Sequence, residues 1–153
     1  MIKNLISWLR DISPFLAVII LWRLEFSFWN PGGILAIIPI FYYSFVRPVN
    51  WMPLISIIFC FLIDYNMDTK LFWTTVYFIA YAINGFQYFI DLQRTDKNSI
   101  VPFMIFIGAA LFILMVANLS WVMIGRTLWI FIWTMVLYMP ITILLKIFSN
   151  LKR

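Results

Sequence analysis

The chain has 153 residues, of which 65% are hydrophobic, 20% aromatic and only 11% charged. A soluble domain is nearer half apolar and a quarter charged, so this composition argues against a water-soluble globule and for one small integral membrane domain over residues 1–153. Histidine is absent, which removes Ser-His and Cys-His nucleophilic chemistry, His-ligated metals and imidazole proton relays. The single cysteine, Cys60, allows no internal disulfide. Set within an apolar run, it reads as a small buried hydrophobe.

Six apolar stretches follow in chain order: 12–29, 32–46, 51–63, 71–90, 100–121 and 127–148. The last three have the length of a bilayer-spanning helix. The first three are shorter and punctuated by Pro14, Pro31, Pro39, Pro48 and Pro53. They can still span if flanking residues are helical or if a broken helix packs inside a bundle. The expected fold class is therefore all-α, a polytopic transmembrane bundle of about six spans. Five spans, with the second and third forming one re-entrant unit, is the alternative. The segments do not alternate in the way an outer-membrane barrel requires. Basic residues near the N-terminus are followed by Trp22-Arg23-Leu24-Glu25 rather than a small-residue cleavage site, so the first segment reads as a retained span.

With six spans and both termini in the cytoplasm, the inside holds eight of the eleven Lys and Arg residues and three of the six acids. The whole +5 net charge then lies on the cytoplasmic face. Contact with anionic lipid heads accounts for it without a nucleic-acid partner. Trp29, Trp73, Trp121 and Trp129 fall at expected outer helix ends, and Trp8 and Trp51 at inner ends, as an interfacial belt requires.

Few groups could carry chemistry. Arg23 and Glu25 lie near the outer end of the first span; either they reach the interface or one pairs with another helix. Asp64 closes the run 54–63, and Asp68 and Lys70 follow. If the helix continued, Asp64 and Asp68 would share a face. A metal site would need more oxygen ligands than this pair supplies. A proton or cation site is a second reading. Asn66, Thr69 and Lys70 give the segment the look of a helix end and loop in water. Asp64 is then a boundary acid with a capping or recognition role, and Asp68 a solvated loop residue. Asn84, Gln87, Asn118 and Ser120 are the polar groups of the later spans. Asn118 is expected to bond across helices, and Gly108-Ala109-Ala110 with Leu114 and Ala117 to form a small contact face. Pro140 should kink the last span. No catalytic, cofactor-binding or metal-binding residue is expected.

The run IIPIFYYSFVRPVNWMPLISIIFCFLIDYNMDTKLFW resembles the middle of the rod-shape-determining protein MreD family. Arg47 and Pro48 match that family's Arg-Pro, Pro53 its second proline and Asp64 its closing acid. The basic stretch LQRTDKNSIVPF and the basic C-terminus also fit. Val49 stands where the family usually has Asp, and glycines around the closing acid are replaced. The resemblance implies a non-enzymatic multi-pass protein of the bacterial inner membrane. It would bind an MreC-like protein and help couple MreB filaments to peptidoglycan synthesis by RodA and a penicillin-binding protein. Arg47, Pro48, Pro53 and Asp64 become candidate partner-contact or structural residues. The family's likeness in fold to substrate-binding subunits of energy-coupling-factor transporters supplies the alternative. That reading expects a small-molecule pocket near Trp29, Tyr65, Trp73 and Asp64.

Overall fold

The computed structural model describes residues 2–24, 33–87, 100–118 and 120–150, with side chains over 11–24, 33–83, 100–118 and 120–147. Among the described residues every regular element is helical. Helix α1 is Ile2–Arg23. A 3₁₀ turn (Ile34–Ala36), the short helix α2 (Ile37–Phe41) and a π turn (Tyr42–Val46) form one continuous helical segment. Four helices follow: α3 (Met52–Met67), α4 (Phe72–Gln87), α5 (Ile100–Ala117) and α6 (Trp121–Asn150).

The segment Ile34–Val46 is the centre of the molecule. Every residue from Gly33 to Phe45 is buried. Around it the other five helices close a ring, each touching the next: α1 on α3, α3 on α4, α4 on α5, α5 on α6, and α6 back on α1. A helix surrounded on all sides must be apolar on all sides, which is why this stretch shows no polar stripe. Its entry is fixed by Gly33, at φ +83, where a Cβ would run into the Trp22 indole of α1. At its other end the π turn makes a wide bond from Arg47 N–H to the Tyr42 carbonyl, 2.8 Å. Pro48 has no N–H to continue the helix, and the chain turns into α3.

Large apolar side chains also face outward. On α3, Leu54, Ile58, Phe61 and Tyr65 form an exposed stripe opposite the buried Ser56, Phe59, Cys60 and Ile63. Helices α5 and α6 expose similar rows. Water does not tolerate apolar patches of this extent. The helix α5 and the portion Trp121–Ile147 of α6 are long and apolar enough to cross a membrane; Ile34–Val46, Met52–Met67 and Phe72–Ile83 are shorter apolar helices.

Six helical segments thus occupy the six expected stretches, with shifted ends. Helix α1 begins ten residues before the expected start at 12, because Lys3, Arg10 and Asp11 are helical rather than flanking. Trp121, expected to close the fifth segment, instead opens α6. Helix α6 runs on through Pro140. Glu25, Trp29, Pro31 and the basic stretch 91–99, together with the side chains of Trp8, Asn84 and Gln87, lie outside the described residues.

Candidate functional site: the Asp64 node and a buried hydroxyl cluster

Helix α3 does not stop at Asp64 but continues one turn to Met67. Asp68 then takes a left-handed conformation, φ 55, and the Asp64 carbonyl accepts the Thr69 N–H at 3.0 Å. Lys70 and Leu71 are also left-handed, at φ 47 and 65. Lys70 and Leu71 cost about 1–2 kcal/mol each in that region and Asp68 less, so the turn needs something to hold it. The Asp64 side chain does so. Its Oδ1 accepts the Thr69 hydroxyl at 2.6 Å and the Trp73 N–H at 2.8 Å. Its Oδ2 accepts the Thr74 N–H at 2.9 Å and the Thr74 hydroxyl at 2.7 Å.

Trp73 and Thr74 are the second and third residues of α4, whose N–H groups normally await an N-cap side chain. Leu71, one residue before the helix, has no side-chain oxygen to offer them. Asp64 supplies it from the last turn of the preceding helix. A carboxylate is well placed there, since the positive end of the α4 dipole favours negative charge. Charge-assisted bonds are also the stronger kind. At 3% exposure the carboxylate is buried, and its acceptor positions are filled by four donors.

This corrects the picture of Asp64 as a wet helix end. It is the buried fastening of the α3–α4 turn, and its capping role stands. Asp68 is exposed, as expected for a loop residue, but does not share a face with Asp64, because the chain has left the helix before it. No group of three His, Cys, Asp or Glu that could hold a metal occurs among the described residues.

A second polar group lies on the same buried face of α3. Ser56, Cys60 and Asp64 recur every four residues, each buried. Ser56 Oγ lies 3.3 Å from Ser44 Oγ of the π turn, and Ser44 Oγ lies 3.0 Å from the Tyr77 hydroxyl of α4. Three hydroxyls from three elements thus meet in the core, and mutual bonding is what makes their burial tolerable. Rings surround them: Tyr77 stacks on Tyr81 at 6.0 Å and meets Phe45 at 6.0 Å. Phe41 of the central segment contacts Phe103 and Phe106 of α5. Cys60 is a free, buried thiol, as its apolar setting suggested.

The four residues singled out from the sequence fall into two places. Arg47, half-buried, and Pro48, exposed, form the elbow after the π turn, and Pro53 is the second residue of α3. A proline there loses no helical bond. Asp64 sits at the other end of α3, about 16 Å further along the axis. Trp73, expected at the interface, is 1% exposed, while Tyr65 is 80% exposed. Asp64 and Trp73 therefore do not share an open surface with Tyr65. Trp51 and Trp121, at the starts of α3 and α6, are exposed, whereas Trp129, also exposed, lies eight residues inside α6 rather than at the helix end expected for it. Arg23 places its guanidinium 5.5 Å from the Trp22 ring. Among the described residues Asn118 bonds to no other helix; its Nδ2 donates back to the Leu114 carbonyl at 3.3 Å. Ser120 caps α6, its Oγ accepting the Met123 N–H at 3.2 Å. Gly108 does face α6, where an added Cβ would meet the Phe131 ring at 3.6 Å, and Ala110 and Leu114 are buried, whereas Ala109 and Ala117 are exposed.

Thr69, Trp73 and Thr74 as partners of Asp64, and the Ser44–Ser56–Tyr77 cluster, are the features that sequence reading missed. Only the two threonines flanking a short turn were a visible signal. Searches against protein-family models, curated proteins and solved structures find no match to this chain.

Proposed function

We propose that the chain is a non-enzymatic, multi-pass scaffold of the bacterial inner membrane, with both termini cytoplasmic, that serves the cell-elongation machinery. The observation that carries this reading is how its polar groups are disposed. The one carboxylate buried among the described residues, Asp64, has its four acceptor positions filled by the fold itself. The outer faces of α3, α5 and α6 meanwhile offer broad apolar surface to lipid and to partner helices. A protein built this way acts by where it holds others. The resemblance to the MreD family around Arg47, Pro48, Pro53 and Asp64 supplies the machinery and the partners. An MreC-like protein would pack against the bundle, and RodA, a penicillin-binding protein and MreB would join through it.

The test is affinity purification of the tagged full chain from native membranes in mild detergent. Recovery of an MreC-like protein or a wall-synthesis enzyme is expected. Recovery of neither overturns the assignment. A thermal-shift screen of the purified chain against vitamins and metal ions covers the transporter-subunit alternative; a clear stabilising ligand would favour it over the scaffold.

A further inference from the structure

The turn between α3 and α4 is strained, firmly held and exposed at once. Lys70 and Leu71 hold φ at 47 and 65, a region that bulky side chains avoid. Glycine would make the same turn without that penalty, yet none stands between 34 and 84. The surroundings over-determine the conformation. Asp64 binds the turn from one side through Thr69, Trp73 and Thr74. The Leu71 carbonyl accepts both the N–H and the hydroxyl of Thr75, at 3.0 and 2.8 Å. The Thr69 carbonyl accepts the Phe72 N–H at 3.0 Å. Neither strained side chain serves the core: Leu71 is 50% exposed, and Lys70 is exposed. What the strain keeps, and glycine would lose, is this pair of outward side chains in one fixed arrangement.

We infer that the α3–α4 tip is a protein-docking site, at which Lys70 and Leu71 enter a partner segment on the outer side of the membrane. The partner chemistry that fits is an apolar socket for Leu71 with a carboxylate beside Lys70. This contact rests on the scaffold reading proposed above and gives it a surface. Lipid is the competing occupant, and it needs none of this construction. Acyl chains and headgroups mould to any contour, so contact with them gives no reason to hold a backbone in a sparsely populated conformation. An anionic headgroup surface also gains little here, because the exposed Asp68 offsets the charge of Lys70. A protein socket does gain. A side chain already fixed in its bound geometry loses little freedom on docking. Asp64 then has a second consequence, since the fastening that closes the hairpin also sets the shape of its tip.

Variants of the tagged full chain are purified from native membranes in mild detergent. Tm is read on each sample together with recovery of the MreC-like protein or wall-synthesis enzyme that accompanies the unsubstituted chain. Lys70→Gly and Leu71→Gly relieve the backbone and delete the side chain. Each is expected to keep or raise Tm while recovery falls about fivefold or more. Lys70→Glu, which keeps a long side chain and reverses its charge, should lower recovery with Tm unchanged. Ile79→Ala, at an exposed position of α4, should change neither. A photoreactive benzoylphenylalanine in place of Leu71 should crosslink to the same partner in native membranes. Full recovery by both glycine variants, or a crosslink to lipid alone, overturns the docking site and leaves the scaffold reading intact. A Tm lowered by both glycine variants overturns the strain and the docking site with it. No partner accompanying the unsubstituted chain overturns both readings.

Discussion

Two helical hairpins, α3–α4 and α5–α6, solve the same problem in opposite ways. Each must satisfy the last carbonyls of one helix and the first N–H groups of the next across a short turn. Between α5 and α6 the solution is local. Asn118 bonds back to Leu114 within its own helix end, and Ser120 caps the helix it immediately precedes. Between α3 and α4 the cap is remote: a carboxylate one turn inside α3 reaches over a left-handed turn to residues nine and ten positions later. A local cap forms with its helix. A remote cap forms only when the hairpin closes, so it couples two helices that a local cap would leave independent.

The difference is measurable, and the largest effect belongs to Asp64. Asp64→Ala leaves two backbone N–H groups and two hydroxyls without their acceptor in a buried site. A destabilisation of about 3 kcal/mol is expected, read as a lowered unfolding midpoint in mild detergent. Asp64→Asn should recover part of that loss, because an amide keeps one acceptor oxygen but turns an NH₂ toward groups that donate. A loss no larger than that of an ordinary surface substitution would mean the hairpin does not depend on its remote cap.

Thr74 separates the side-chain share from the backbone share. Thr74→Val removes one hydroxyl from Oδ2 while its N–H bond to the same oxygen remains. About 1 kcal/mol is expected, and in the Asp64→Ala background the same change should cost almost nothing, since its partner is already gone. Additive effects of the two substitutions would sever the link between them. Ser120→Ala tests the local hairpin, with an expected cost of about 0.5–1 kcal/mol, additive with Asp64→Ala because the two caps serve different hairpins.

These two hairpins also show what a sequence can disclose. The existence of helices is written in runs of apolar residues, and the central segment is legible as one that is apolar on every face. Asp64 is legible as a capping acid because it interrupts such a run. Its partners are not, since Thr69 and Thr74 become neighbours of the carboxylate only after a turn with left-handed residues at 68, 70 and 71, which carries no glycine signal. The Ser44–Ser56–Tyr77 cluster joins residues 12 and 33 positions apart and depends on the ring closing around the centre. The start of α6 was obscured for the reverse reason. Between Ala117 and Trp121 the turn is so short that the apolar pattern runs through it, and the cap at Ser120 passed for a polar residue inside a span.

The smallest expected effect is the most discriminating against the view of Asp64 and Asp68 as a pair. Two acids four residues apart invite a shared role, and a shared role predicts similar penalties. The structure separates them: Asp64 is buried with four donors, whereas Asp68 is exposed and its contribution is to accept a left-handed backbone at φ 55. Asparagine tolerates that conformation well, so Asp68→Asn should alter stability by no more than about 0.5 kcal/mol and leave assembly with partners unchanged. Asp64→Asn, the same chemical change four residues earlier, should reduce both stability and partner recovery from membranes. Equal effects at the two positions would return both acids to the status of ordinary loop residues. Unequal effects in the expected order make the remote cap the feature that holds this half of the molecule in shape.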